Sequence, residues 1–386
     1  MTRVNILAVI LTACLASPTS AQQAATGEDN WTEFGRYNMQ RYNPNETILN
    51  VNNVANLQVK WSQAIHATSP SPAVVNGVVY TAGSDGPNSN VLFALNASTG
   101  ALLWRALLSG EAPVQSSPAV ADGAVYVGGT DREFYAVNAG AGSLLWKYTG
   151  DSTFIYSYPA VANGAVYVES YYGTLYALNA STGALLWTYA GGGRNYCNPA
   201  VVNGVTYFAA AKTVYALNAS TGVVLWSFPT PYTVWSTPAV ADGTVYITTY
   251  GGAAYALNAK TGVEKWRHAG IHGSFNFMPA VANGVVYTLI GFDDQPTLYA
   301  LDAKTGAELW VFVSGDIQGS PTVANGVVYI GAGSSMFALD AATGAQLWTS
   351  PYTMGSSSPA VTHGTLYFGS DGVFYAFALP SEEKEK

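Results

Sequence analysis

Side chains able to hold a ligand gather in short stretches that each run into a Pro-Ala-Val or Pro-Thr-Val triplet. They are Tyr156 and Tyr158; Arg194, Tyr196 and Asn198; Trp235; His272, Asn276 and Phe277; and Gln318. Aromatic walls with guanidinium, amide and imidazole handles suit a planar or sugar-like small molecule, or anchor a protein partner. The same rings serve equally to fill the interior of a small barrel or propeller. Carboxylates fall elsewhere, at Asp85, Asp131, Glu133, Glu169 and Asp293-Asp294. No metal site is expected, because calcium takes about six to eight oxygens and loop carboxylates are ordinarily solvated. Glu169 and Asp293 are the side chains such an ion would use. No Gly-x-Ser-x-Gly elbow, phosphate loop or His-Glu-x-x-His is present, and His66, His268, His272 and His363 are scattered. No catalytic residue is assigned.

What positions these stretches is a repeat. Pro72, Pro118, Pro159, Pro199, Pro238, Pro279, Pro321 and Pro359 each open a unit that continues through a two-residue turn to an apolar run ending in Tyr. The turns run from Asn76-Gly77 to His363-Gly364, mostly Asn-Gly or Asp-Gly, which accept positive φ at both central residues and so make tight hairpins. A second half follows, Tyr-Ala-Leu-Asn-Ala-Ser-Thr-Gly and a short run to Trp, as in Tyr176 to Trp187. Two further strands are the simplest account. Tryptophans end the units at 61, 104, 146, 187, 226, 266, 310 and 348. Four strands per roughly 40 residues is the spacing of a propeller blade. Trp235 is the one repeat-region Trp outside this register.

Trp61 precedes the first unit, whereas the last runs out at Phe377-Ala378-Leu379 without a fourth strand. A circular solution follows, in which Leu57 to Ser62 supplies the missing outer strand. The sequence therefore predicts an all-β, eight-bladed propeller of four-stranded antiparallel blades over 57–379, closed by an N-terminal strand. Residues 22–56 form an appended extension and 380–386 a charged tail. Hairpin turns fall on one face and hardly vary; the inter-blade and middle-strand loops fall on the other and diverge, which marks that face for binding. Phe154 to Tyr158 would supply contact anchors there.

The chain is 49% hydrophobic and 10% charged, with net charge −8. That excludes a disordered chain and offers no basic stripe for nucleic acid. Residues 1–21 read as an export signal: Arg3, an apolar run from Val4 to Ala16, and small residues before Gln22. Leu11-Thr12-Ala13-Cys14 also matches a lipobox, which would make Cys14 a lipid anchor. Cleavage after Ala21 places the protein in the periplasm or medium; lipidation places it on the outer membrane. A monomer is expected.

The string Ala-x-Asn/Asp-x-x-Thr-Gly-x-x-x-Trp, complete at Ala94 to Trp104, Ala177 to Trp187, Ala216 to Trp226, Ala256 to Trp266, Ala300 to Trp310 and Ala338 to Trp348, resembles the tryptophan-docking motif of PQQ-like repeat propellers. The segment from Trp31 through Phe34-Gly35, Arg41-Tyr42-Asn43-Pro44 and Asn53-Val54 to Trp61 is similar to the start of quinoprotein alcohol dehydrogenases. The resemblance implies docking tryptophans packed between blades. For an enzyme of the family it implies pyrroloquinoline quinone (PQQ) over calcium, held by a Glu, an Asn and an Asp, with an Asp base and adjacent cysteines. Glu169, Asn198 and Asp293 or Asp316 are available for those roles, but no local motif fixes them and adjacent cysteines are absent. The expectation is a non-catalytic binding or protein-interaction scaffold of the cell envelope, without a cofactor, similar to the propeller lipoprotein of outer-membrane protein assembly. The alternatives are a PQQ- and calcium-dependent alcohol or sugar dehydrogenase, and a glycan-binding module.

Overall fold

Each blade begins with a hairpin whose turn residues both sit in the left-handed region, as at Asn76 (φ 50°) and Gly77 (φ 75°), and the same pair recurs through His363 and Gly364. A computed structural model describes residues 29–380 apart from Tyr37, 66–69, 87–88, 109–114, Ile155, 194–196, 271–276, 293–294, Asp316, Gln318, Ser334 and 353–356. Among the described residues the strands form eight antiparallel sheets. Blade 1 is typical, with strand A at Ala73–Val75, B at Val78–Gly83, C at Asn90–Asn96 and D at Leu102–Leu108, ordered from the axis outward. Strand D of blade 8 is Gln58–Ala64, which pairs antiparallel with Val373–Ala378, placing Trp61 opposite Ala376. The ring is closed by the chain's own beginning, as its pattern predicts.

Blades are joined by one recurring contact. The indole Nε1 of Trp61, Trp104, Trp146, Trp187, Trp226, Trp266 and Trp310 donates to the carbonyl of Ala97, Ala139, Ala180, Ala219, Ala259, Ala303 and Ala341 in the next blade, at 2.8–3.0 Å. The glycine of each Thr-Gly turn lies on that indole: a Cβ on Gly222 would stand 2.7 Å from the Trp187 ring, and φ there is +71°. Glycine is thus required twice over, by conformation and by contact. The tyrosine third in strand B of blade 4 meets the same carbonyl. Tyr207 Oη donates to Ala259 O at 3.1 Å, beside Trp226 of its own blade.

The seam between blades 7 and 8 differs, because blade 8 has chain ends where the others have a turn. Trp348 packs instead in a cluster with Leu49, Val54, Leu57 and Phe377. The Tyr329 hydroxyl is buried with no hydrogen-bond partner among the described residues.

Residues 29–46 are no appendage; they plug the channel. The three-residue inner strands would otherwise show unpaired edges to the axis, a state that proteins cover. Val74, Val120, Val281 and Val323, each the middle residue of a strand A, donate their N–H to the carbonyls of Trp31, Thr32, Gln40 and Arg41 at 2.7–2.9 Å. Val240 donates to Asn38 O at 3.2 Å, and the Asn43 amide donates to Val361 O at 2.7 Å. Tyr42–Asn43 even adds a fifth, parallel strand to blade 7, where four were expected. Following so tight a circle puts Arg36, Asn38, Met39 and Arg41 at positive φ.

Candidate functional site

The plug lies at the hairpin-turn face, where the Tyr42 hydroxyl donates to Asn283 Oδ1, and the loop face is opposite. On that side the residue before each proline leads into an inner strand, and several of these residues are linked from one blade to the next. Ser71 N–H donates to Ser117 Oγ at 2.9 Å, Tyr158 N–H to Asn198 Oδ1 at 2.7 Å, and Asn198 N–H to Thr237 Oγ1 at 3.1 Å. Met278 donates to Ser320 at 2.9 Å, and Ser320 to Ser358 at 2.8 Å. Asn198 therefore does structural work in a hydrogen-bonded belt. Tyr158 stacks its ring on Phe34 of the plug, centroids 4.0 Å apart and 19° between planes, and burial pushes its hydroxyl up to about 12.

The other described candidates sit apart. Tyr156 lies 6.1 Å from Tyr171, which neighbours the exposed Tyr172 at 5.7 Å, all on blade 3. Trp235 meets the exposed Tyr250 edge-on at 4.6 Å, on blade 5. Phe277 packs against the apolar cluster shared by blades 6 and 7. Phe154 is buried edge-on to Phe134 and Tyr176, so it is inter-blade core and not a contact anchor. Arg194, Tyr196, His272, Asn276, Gln318 and Asp293 lie outside the described residues. Glu169, the last residue of strand B in blade 3, is buried near Cys197. Burial and the Glu169 carboxyl push that thiol well up, and its Sγ donates to Val234 O at 3.0 Å, so it is unreactive.

Sequence reasoning missed the floor of the channel. Arg41 is fully buried there and donates to Pro321 O (2.8 Å), Phe34 O (2.6 Å), Thr322 Oγ1 (2.5 Å) and Pro359 O (2.7 Å). Its guanidinium stacks 4.5 Å from the Phe34 centroid. Desolvation draws it down to about 9, so it remains charged at neutral pH. The signal was indirect: eight inner edges required a cover, and only the non-repeating segment was available to give one. Three carbonyls and a hydroxyl, rather than a carboxylate, solvate this cation among the described residues. Among the described residues no three acidic, His or Cys side chains converge to hold a metal. Of the residues available to a calcium–quinone site, Glu169 and Asn198 are described, and Asp293 and Asp316 lie outside the described residues.

A further surface emerges on the outer strands. Each strand D carries a bulge at the residue before its Trp, so that two consecutive side chains face outward, except that Leu347 of blade 7 packs in part against the core. In blades 1 to 3 these are Leu102-Leu103, Leu144-Leu145 and Leu185-Leu186, each 47–56% exposed, and in blade 4 Val224-Leu225. The equivalent pairs in blades 5 to 8 are Glu264-Lys265, Glu308-Leu309, Gln346-Leu347 and Val59-Lys60. The fold accepts Glu, Lys or Gln at these positions, so it does not require leucine. Arg105 and Lys147, on the apolar half, are ion-paired to Asp85 and Glu133, which leaves that half without unpaired charge on its outer strands.

Fold and seams together define a tryptophan-docked, eight-bladed propeller with a plugged channel. The family described as outer membrane protein assembly factor BamB matches residues 19–155, 152–231 and 199–379, and the chain belongs to this PQQ-like repeat family. Among curated proteins, quinohemoprotein alcohol dehydrogenase ADH-IIG of Pseudomonas putida is 35% identical over 130 residues, 30% of this chain and 17% of that protein. The dehydrogenase subunit of the quinone alcohol dehydrogenase of Komagataeibacter europaeus is 32% identical over 146 residues, 32% of this chain and 19% of that one. The matched stretch thus spans less than a fifth of either relative. Of solved structures, a europium-containing methanol dehydrogenase superposes with a TM-score of 0.81 at 16% identity, covering 93% of this chain and 100% of that one. BamB from Moraxella catarrhalis gives 0.71 at 18%, covering 86% and 100%. These likenesses establish the fold; they do not separate scaffold from enzyme.

Proposed function

We propose that the chain is an exported, non-catalytic scaffold that holds a protein partner in the cell envelope. One observation carries this reading: the wholly apolar outward pairs of blades 1 to 4, on strands whose two charges, Arg105 and Lys147, are ion-paired, set against pairs in blades 5 to 8 that each include a polar or charged residue. Exposed apolar pairs repeated on four successive blades, where the fold accepts polar residues, favour an interaction site. Trp235 with Tyr250, and Tyr156 with Tyr171 and Tyr172, give the loop face a second set of anchors. Capture from envelope extract tests it, comparing the native chain with Leu103→Lys/Leu145→Lys/Leu186→Lys. Lys60 and Lys265 occupy the same position in blades 8 and 5, so the variant should fold normally and lose the partner. Equal recovery by both would end the proposal.

The matches to two quinone-dependent dehydrogenases support a second reading, a PQQ-dependent alcohol or sugar oxidoreductase. Its test is thermal stability with added PQQ and calcium, since a ligand bound only by the folded state raises the midpoint. No shift and no dye reduction with alcohols removes it.

A further inference from the structure

Where the plug leaves the ring, it opens a cavity. At blades 1 and 2 the carbonyls of Trp31 and Thr32 accept the valine N–H groups at 2.7 Å. At Glu33 the chain turns away, its own carbonyl accepting the Arg36 N–H at 3.0 Å, and the next backbone contact with an inner strand among the described residues is at blade 5. Among the described residues the N–H of Val161 in blade 3 is met only by Glu33 Oε2, at 3.4 Å. Beside this gap lies a cavity of about 430 Å³ walled by Thr32, Glu33, Arg36, Asn38, Asp122 and Asn163. That volume falls in the range of small-molecule sites.

The half-buried Glu33 carboxyl lines this space, and its Oε1 has no partner among the described residues. The other charged groups on the walls do not neutralise it. Arg36 directs its guanidinium to the carbonyls of Asn30 (2.9 Å) and Tyr42 (3.3 Å), and Asp122, from the blade 2 hairpin, is a second acid. Blade 3 contributes the uncharged Asn163. Burial pushes Glu33 up to about 8, the hydrogen bond from the Val161 N–H opposing it, so the free protein holds it mostly neutral at pH 7.

We infer that this cavity binds a small, sugar-sized primary ammonium compound, its cation against Glu33 and its hydroxyls against Asn38 and Asn163. Binding converts the neutral carboxyl to carboxylate and releases its proton to solvent. Asp122 at the rim favours the same charge.

Calorimetry on the full chain at pH 7 tests this with trans-4-aminocyclohexanol, whose amine stays protonated, and with trans-cyclohexane-1,4-diol as its uncharged counterpart. The amine should bind saturably and, in buffers of different ionisation enthalpy, release most of one proton. The diol should bind at least about tenfold more weakly, and Glu33→Gln should lose the preference for the amine to a similar extent. Glutamine copies the neutral carboxyl, so the variant should keep the native Tm at pH 7. Absence of saturable amine binding, equal binding of the diol, or an undiminished preference in Glu33→Gln would each overturn the inference.

Discussion

Blades 1 to 4 and blades 5 to 8 are built by one set of rules and present opposite surfaces. Both halves use the same left-handed hairpin turns, the same bulge before the tryptophan and the same indole-to-carbonyl seam. The outward pair differs, Leu-Leu or Val-Leu in the first four blades and Glu-Lys, Glu-Leu, Gln-Leu or Val-Lys in the last four. Repeats folded identically act as controls for one another, so a wholly apolar outward pair confined to half the ring is there for a reason other than folding. It follows that scaffold substitutions should have equal effects in the two halves, and surface substitutions unequal ones.

The largest expected effect belongs to the scaffold. Gly222→Ala and Gly306→Ala each force a Cβ to 2.7 Å from an indole, Trp187 in one half and Trp266 in the other, at positive φ. Each should cost about 3 kcal/mol in urea unfolding, from backbone strain and overpacking together. A marked inequality between them would break the claim that the halves share one scaffold. Next comes the surface. Leu103→Lys/Leu145→Lys/Leu186→Lys should lower partner capture by about tenfold or more while shifting stability by no more than about 0.5 kcal/mol per site.

Smaller still is the tyrosine series. Tyr207→Phe and Tyr287→Phe remove a hydroxyl that donates to Ala259 O and Ala341 O, and each should cost about 1 kcal/mol. Tyr329→Phe removes a buried hydroxyl with no described acceptor, so its unfolding midpoint should match or exceed the native one. A loss at Tyr329 equal to that at Tyr207 would show that the eighth seam is made like the others. The most gradual effect is set by pH. Glu33 is raised from 4.5 to about 8 in the folded chain, so between those values the folded state holds a proton that the unfolded chain has released. Its contribution to stability is complete below pH 4.5 and is lost as pH rises towards 8. Glu33→Gln should flatten that slope in a Tm-versus-pH series.

The blades were legible because each carries its own punctuation. Asn-Gly fixes the hairpin, Thr-Gly-x-x-x-Trp fixes the seam, and the stranded Trp61 and Phe377 could only be reconciled by pairing across the chain ends. The plug was not legible, since Trp31 to Asn43 has no period and its contacts reach from blade 1 to blade 8. Tyr158 and Asn198 illustrate the limit of reading divergence as function. Their loop varies among repeats, yet one stacks on Phe34 and the other bridges two inner strands. The outward leucines were written in the sequence throughout, but only the bulge shows that both members of each pair face solvent.

Site-specific photo-cross-linking addresses the central claim most directly. A photoreactive residue placed at Leu186 of blade 3 and, separately, at Lys265 of blade 5 occupies the same bulge position on the two halves of the rim. Exposed to envelope extract and light, the first should give a discrete protein adduct and the second none. Adducts of equal yield from both positions, or none from Leu186, would contradict the account.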